Sequence, residues 1–229
     1  MDIEIERLVR ECVSCKNSDK TQSTFKPPLC PIESPDMPWE KLGVDIFGPV
    51  VDAETPTYML VIYDHFSKWP EIIFTNSITS QTVMNDLDKL FIREGIPKVL
   101  ISDNGPQFVS ESFKNYLQRN GIKHCTTSVY HPAGNGAVER FNRVIKGTIQ
   151  LAVKAGLNWR QEVLKMLWAF RITPCTTTGT SPFVLMRGRI PIAKDNIGWM
   201  SGTRKADWSP EEVKRKLQIA HDAYKSYFD

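Results

Sequence analysis

Apolar residues in the first half of the chain form short runs separated by polar turns, which is the pattern of β-strands. Three such runs, rich in valine, isoleucine and aromatic residues, cover residues 42–50, 58–63 and 69–75. The polar segments between them, residues 52–56 and 64–68, are short enough to be hairpin connections. Because hairpins join strands that run in opposite directions, the pattern predicts an antiparallel meander of three strands.

Helical spacing of apolar residues dominates the rest of the chain. The predicted elements are, in order, a helix at residues 80–93, a strand at 98–102, a helix at 110–120, a strand at 122–127 and helices at 136–153 and 159–172. We further predict a short helix that begins at 180–185, an extended segment at 187–191 and an amphipathic helix at 209–227. A meander followed by strands that are reached through helical crossovers predicts an α/β fold, a five-stranded mixed sheet flanked by helices.

The composition is that of a globular protein in a reducing compartment. The 229 residues are enough for one domain with appendages. We place the core at residues 38–190, between an appendage at 1–37 and a partly helical extension at 191–229. No apolar stretch approaches the roughly 18–20 residues that span a bilayer, and the N-terminus lacks a signal peptide's basic and apolar regions. Five irregularly spaced cysteines argue against a disulfide scaffold, so we expect neither a membrane protein nor a secreted one.

Charge is distributed unevenly along the chain. Residues 31–110 carry 12 acidic and 5 basic side chains, whereas residues 139–189 carry 9 basic and 2 acidic ones. A bound cation would relieve repulsion in the acidic part, and the basic part suits a phosphate backbone. A basic helix is also common on an ordinary solvated surface, so this pattern is compatible with nucleic acid binding without requiring it.

Three acidic residues stand in settings suited to metal-bound phosphoryl chemistry. Asp45 lies within an apolar strand, Asp103 follows the strand at 98–102, and Glu139 is near the start of the helix at 136–153. A carboxylate on an apolar strand costs several kcal/mol unless it is paired or holds a cation. Asp45 on a central strand, beside the strand that ends at Asp103, would bring two carboxylates together, and a third completes an oxygen site for Mg²⁺ or Mn²⁺. The alternative is three unrelated surface acids.

Several long motifs now indicate a family. They are GVDIFGP at 43–49, FSKWP at 66–70, SDNGPQF at 102–108, YHPAGNGAVERFNR at 130–143, SPF at 181–183 and RGR at 187–189, with 35 residues between Asp103 and Glu139. In these motifs and their order the chain resembles the integrases of retroviruses and LTR retrotransposons, most closely those of gypsy-type elements. The resemblance covers roughly residues 38–190 and implies an RNase H-like fold and polynucleotidyl transfer on DNA.

The resemblance also implies a site and a mechanism. Asp45, Asp103 and Glu139 correspond to the family's metal-binding triad, with two Mg²⁺ or Mn²⁺ ions per active site. Two such ions, about 3.5–4 Å apart, stabilise both the attacking and the leaving oxygens of an in-line displacement at phosphorus. Asp45 would bridge the ions, while Asp103 and Glu139 would each complete one site. The nucleophile is water when the element's 3′ end is trimmed, and that 3′ hydroxyl when it attacks target DNA.

The helix that carries Glu139 offers candidate DNA contacts. Arg143 and Lys146 lie four and seven residues after Glu139, so they share its face and would hold a phosphate near the metals. In the family, positions at these offsets contact the element's DNA end. Alternatively, Arg143 merely pairs with Glu139. We expect Arg140 and Asn142 to point elsewhere and to serve packing or target DNA contacts.

The loop before this helix offers two more candidates. Gly134 and Gly136 flank Asn135, which predicts a mobile loop, and Tyr130 and His131 within it are candidates for contacts with DNA bases. The alternative is a structural role, which is the more frequent one for a lone histidine.

Cys12 and Cys15 form half of a zinc site, and the family has an N-terminal His-His-Cys-Cys module whose second half would fall here. No histidine precedes His65, and two ligands do not make a stable tetrahedral zinc site. We therefore expect residues 1–37 to be a remnant of that module that does not bind Zn²⁺ tightly. Nothing after residue 200 resembles the small β-barrel or chromodomain that often follows the core in this family, so we expect incomplete flanking modules.

Three functions remain open at this point. The first is a metal-dependent DNA integrase and endonuclease, acting as a homo-oligomer because joining two DNA ends needs at least two active sites. The helix at 159–172 is a candidate for the contact between copies. The second is a domesticated copy that binds nucleic acid without full integration activity. The third, an RNase H or structure-specific nuclease, fits the triad spacing less well. The DNA substrate implies a nuclear location, with a cytoplasmic pool.

Overall fold

The computed structural model of the protein describes residues 35–52, 55–126, 136–192 and 208–228. Its centre is a sheet of the strands β1 (Lys41–Asp52), β2 (Thr55–Asp64), β3 (Pro70–Thr75), β4 (Val99–Ser102) and β5 (Lys123–Thr126). The strand order is β3-β2-β1-β4-β5. The first three strands pair antiparallel, whereas β4 runs parallel to both β1 and β5. The predicted five-stranded mixed sheet is therefore confirmed, with β1 at its centre.

Helices flank this sheet. They are α1 (Ser80–Glu94), α2 (Pro106–Val109), α3 (Glu111–Arg119), α4 (Gly136–Lys154), α5 (Trp159–Ile172), α6 (Pro182–Arg187) and α7 (Pro210–Phe228). Side chains fix several of their starts, because the Thr79 hydroxyl accepts the N–H of Thr82 and the Ser110 hydroxyl accepts that of Phe113. None of the helices described here is both long and apolar enough to cross a membrane.

Two local predictions need correction. The short helix α2 begins at Pro106, three residues after Asp103, in a segment to which the sequence pattern assigned neither helix nor strand; Pro106 occupies a first-turn position that tolerates a missing N–H. The segment predicted as extended from residue 187 begins only after Gly188, since Arg187 is the last residue of α6. That helix ends at Gly188, whose φ of 66° is a conformation that glycine adopts without strain.

Alternation along the strands gives the sheet two apolar faces. One face carries Val44 and Ile62 and packs against α1 and α3. The opposite face carries Val61 and Ile72 and packs against α4 and α5. Because residues paired across strands point to the same side, the position of a charged residue on a strand determines which helices it meets.

The hairpin turn between β2 and β3 is held by a buried acid. Asp64 is fully buried, and its Oδ2 accepts both the N–H and the hydroxyl of Ser67, at 2.9 and 2.5 Å. Burial raises the pKa of the Asp64 carboxyl, while the Ser67 hydrogen bonds act in the opposite direction. Asp64 therefore has a structural role, and the predicted hairpin at 64–68 is confirmed.

The amphipathic C-terminal helix is also confirmed. Val213 and Leu217 of α7 pack on Phe66 and Leu185, and these four residues form a small buried cluster of their own. The predicted boundaries at residues 37 and 190 stay predictions. Residues 1–34, with Cys12 and Cys15, lie outside the described residues, so the predicted remnant of a zinc module is untested.

Candidate active site

Asp45 lies in the middle of the central strand, on the face that packs against α4. It pairs with Val61 of β2, which belongs to the apolar cluster beneath α4 and α5. Its carboxylate is partly buried, and each of its oxygens accepts a hydrogen bond. The main-chain N–H of Ile46 donates to Oδ1 at 2.8 Å, and the side-chain amide of Asn142 donates to Oδ2 at 2.7 Å. The side chain is therefore held in one orientation.

Asp103 lies beside Asp45 because of the parallel pairing of β1 and β4. Gly43 pairs with Ile101, and continuing that register by two residues places Asp103 next to Asp45. Asp103 is exposed at the strand end, and its Oδ1 accepts the N–H of Gly105 at 3.0 Å. This hydrogen bond closes the turn that leads into α2.

Glu139 lies in the first turn of α4, where an acidic residue interacts favourably with the helix dipole. Val138 and Phe141, on either side of it, are buried against the sheet, and Glu139 itself is exposed. The buried neighbours fix the start of α4 over the face of β1 that carries Asp45.

The three acids interact electrostatically. The pKa of Asp45 is raised from its usual 3.8 to about 6, chiefly by burial and further by the negative charges of Asp103 and Glu139, whereas the hydrogen bonds from Ile46 and Asn142 lower it. The topology thus brings together three carboxylates that repel one another. Within residues 35–52, 55–126, 136–192 and 208–228, no three acidic, histidine or cysteine side chains are packed closely enough to hold a metal ion as they stand.

Asn142 corrects a prediction. It was expected to point away from the acids, yet its Nδ2 donates to Asp45. The reason is helical geometry: a residue three positions after Glu139 lies on the same face as one four positions after it. Its Oδ1 is buried and, among the described residues, lacks a hydrogen-bond partner.

The other candidates on α4 form an exposed basic surface. Arg140, Arg143 and Lys146 are all exposed. In the described part of the chain Arg143 forms no ion pair with Glu139, so the alternative of a simple pair on the helix surface is not observed. Tyr130 and His131 lie outside the described residues, and their predicted contacts with DNA bases remain predictions.

A second polar cluster lies at the edge strand β3 and faces away from the three acids. Glu71 pairs with Ile62 and so lies on the opposite face of the sheet from Asp45. Arg171 binds Glu71 at 2.8 Å and stacks over the ring of Trp69 at 4.1 Å. The cluster surrounds a cavity of about 420 Å³ lined by Trp69, Glu71, Arg93, Glu94, Trp168, Arg171, Phe183, Arg187 and Arg189. Arginines pair with both glutamates of this cluster, Glu71 and Glu94. These two glutamates are therefore not part of the site formed by Asp45, Asp103 and Glu139.

Two residues next to the site were missed in the sequence. Ser102 precedes Asp103, and His124 lies on β5 beside Ser102. Their only signal is position, since both fall on strands at the end of the sheet that carries the acids.

Comparison with known proteins gives consistent matches. Residues 35–132 match the family model described as integrase core domain. The chain is 35% identical over 190 residues to the uncharacterized protein K02A2.6 of Caenorhabditis elegans, covering 82% of this chain and 14% of that protein. It is 38% identical over 164 residues to the Pol polyprotein of feline endogenous virus ECE1, covering 70% of this chain and 15% of that protein. The chain thus spans about a seventh of the length of these relatives.

A solved structure agrees in fold. The HTLV-2 integrase catalytic core domain, in complex with magnesium and in a trimeric form, superposes with a TM-score of 0.54 at 21% identity. The match covers 66% of this chain and 98% of that domain. At this identity the likeness establishes the RNase H-like fold.

Proposed function

The chain belongs to the integrase core domain family, and we propose that it is a polynucleotidyl transferase that cuts and joins DNA at a site built from Asp45, Asp103 and Glu139. The observation that supports this proposal is geometric: Asp103 continues the register of β4 beside Asp45, and Glu139 begins the helix over the same face, so both add negative charge near the partly buried Asp45 carboxylate. Repulsion between these charges destabilises the folded protein unless a cation offsets it. Acidic residues with strongly perturbed pKa values are frequent in functional sites.

The donor set fits a hard divalent cation. All three side chains offer carboxylate oxygens, which Mg²⁺ and Mn²⁺ prefer, and the HTLV-2 core with the same fold was solved in complex with magnesium. We infer that Asp45, Asp103 and Glu139 hold two such ions. When bound, these would stabilise charge on the attacking and leaving oxygens at phosphorus.

The remaining residues orient the acids and the DNA. Asn142 and the Ile46 N–H fix the Asp45 carboxylate, so little reorganisation is needed when the site becomes active. Arg143 and Lys146 lie one and two turns beyond Glu139 and are exposed, so they are available to bind phosphates and to place the scissile bond next to the acids. Water, or a DNA 3′ hydroxyl, serves as the nucleophile, and no covalent bond to the protein forms.

We also propose that the chain acts as a homo-oligomer. The joining of two DNA ends requires at least two sites, and the related HTLV-2 core adopts a trimeric form. Helix α5 supports this proposal, because it exposes the apolar side chains of Leu164 and Trp168, and Trp168 also lines the cavity of the polar cluster at β3 with its arginines. Large apolar side chains and arginines are enriched in interfaces between proteins.

A second candidate is a protein that binds DNA without full integration activity. The exposed arginines and lysine of α4 favour it, because their contacts with phosphates need no metal ion. The nuclear location, with a cytoplasmic pool, follows only from the DNA substrate and is proposed with it.

The test is Mn²⁺-dependent disintegration of a branched DNA substrate, a reversal of strand transfer that involves one active site. Wild-type protein is compared with Glu139→Gln and with the control Glu111→Gln, which removes another exposed acid from the first turn of a helix. We expect activity in the wild type and the control and its loss in Glu139→Gln. A folded wild type that binds DNA but shows no Mn²⁺-dependent activity would contradict the first function and favour the second.

A further inference from the structure

A chain of hydrogen bonds connects the residue Asp103 to the edge of the sheet. The Ser102 hydroxyl donates to the main-chain carbonyl oxygen of Asp103 at 2.8 Å. The Nε2 atom of His124, on β5, lies 2.9 Å from the same hydroxyl. A hydroxyl has one hydrogen to donate, so both contacts are satisfied together only when His124 donates from Nε2 to Ser102.

These residues lie on the opposite face of the sheet from the acids. His124 pairs with Leu100, which packs against α1 and α3, and its ring meets that of Phe113 edge-on at a centroid distance of 5.6 Å. Ser102 follows Leu100 by two residues, so it points to the same face, and it is fully buried. Neither side chain is therefore placed to touch DNA or a bound cation directly.

We propose that Ser102 and His124 are positioning residues for Asp103. They hold its peptide group from behind the sheet, while the Gly105 N–H holds its carboxylate from the front. Together these contacts fix the direction in which the Asp103 side chain leaves the strand. This inference rests on the proposed function, because it assumes that Asp103 binds a cation.

The alternative is a purely structural hydrogen bond. Buried hydroxyls need partners, and the Ser102–His124 contact satisfies one whatever Asp103 does. In that case its loss would lower stability and leave cation binding unchanged. A positioning role predicts weaker cation binding instead, because the loss of a group that orients a metal ligand typically lowers metal affinity by about 10–100-fold.

Matched variants separate these cases. His124→Leu removes the donor but keeps an apolar contact with Phe113, whereas His124→Gln places an amide N–H near the position of Nε2. Ser102→Ala removes the hydroxyl and Ser102→Thr retains it. For each protein, Mn²⁺ binding is measured by isothermal titration calorimetry at one pH, the melting temperature is recorded, and amide hydrogen exchange is followed at Gly105 without metal.

We expect His124→Leu and Ser102→Ala to bind Mn²⁺ about tenfold more weakly than wild type and to exchange the Gly105 amide faster. His124→Gln and Ser102→Thr should stay within about twofold of wild type. A role in stability alone does not predict this difference in affinity between the two pairs of variants. If Ser102→Ala fails to fold, the half-buried His124 pair decides the question.

Unchanged Mn²⁺ affinity in His124→Leu, with wild-type binding that is lost in Asp103→Asn, would overturn the positioning role and leave the proposed function intact. Absence of Mn²⁺ binding in the wild type, or wild-type affinity in Asp103→Asn, would overturn the proposed function and this inference together.

Discussion

Replacement of Asp45 by asparagine should stabilise the metal-free protein at neutral pH. Asp45 is ionised there at the cost of partial burial and of repulsion from Asp103 and Glu139. Asparagine has the same shape without the charge. The side-chain oxygen of the new asparagine can still accept the N–H of Ile46. Its amide can donate to Oδ1 of Asn142, which is now buried without a partner among the described residues, if the side-chain amide of Asn142 flips.

The size of the effect follows from the pKa. A rise from 3.8 to about 6 corresponds to about 3 kcal/mol, since each pKa unit is about 1.4 kcal/mol. Solvent screening of the partly exposed carboxylate reduces this to about 1–2 kcal/mol. For a chain of this size, that raises the melting temperature by about 3–6 °C.

The sign of the pH dependence is also determined. Because the pKa of Asp45 is higher in the folded protein than in the unfolded chain, the folded state binds more protons between about pH 4 and pH 6. The free energy of unfolding of the metal-free wild type therefore falls as the pH rises through that window and Asp45 ionises. Asp45→Asn lacks this part of the pH dependence.

Differential scanning calorimetry in buffer with a chelator measures both effects, with Glu111→Gln as a control that should melt like the wild type. Addition of Mg²⁺ should then stabilise the wild type and leave Asp45→Asn unchanged. A lower melting temperature for Asp45→Asn at pH 7.5 without metal would refute the argument that repulsion between the acids destabilises the empty site.

Three further predictions follow from single contacts. Arg143→Ala and Lys146→Ala should each weaken DNA binding, measured by fluorescence anisotropy. Each should also lower by about 1 the slope with which the logarithm of the binding constant falls against the logarithm of the salt concentration. An unchanged slope would exclude a phosphate contact. Ser67→Ala should lower the free energy of unfolding in urea by about 1–3 kcal/mol, because the buried Asp64 loses a hydrogen bond, and a neutral result would contradict this turn geometry. Glu71→Leu should cost about 3–5 kcal/mol, since it leaves the charge of Arg171 buried without its partner, and a stabilised variant would show that the pair is dispensable.

Patterning alone predicted most of the fold. The short turns of the meander place β1, β2 and β3 side by side, and the helical crossovers make β4 and β5 run parallel to β1. The sequence also predicts that the strand of Asp45 lies beside the strand that ends at Asp103, and the observed pairing of Gly43 with Ile101 agrees with this prediction. Element ends were less accurate, since β1 extends to Asp52 through a bulge between Phe47 and Val50 that apolar pattern does not reveal.

Side-chain partners were not predictable in the same way. Asn142 and Arg143 both share the face of Glu139 by helical spacing, and only the depth at which α4 packs decides that Asn142 reaches Asp45. Ser102 and His124 lie 22 residues apart, and their contact depends on the register between β4 and β5. Contacts of this kind arise from packing, which residue type and spacing do not specify.

The central claim is that Asp45, Asp103 and Glu139 bind divalent metal ions. The most direct measurement is anomalous X-ray scattering from crystals of the protein soaked in Mn²⁺. We predict manganese peaks about 2–2.5 Å from the carboxylate oxygens of Asp45, with Asp103 and Glu139 as further ligands. Crystals without a peak at Asp45, or with manganese only at other acids such as Glu71 and Glu94, would contradict the account.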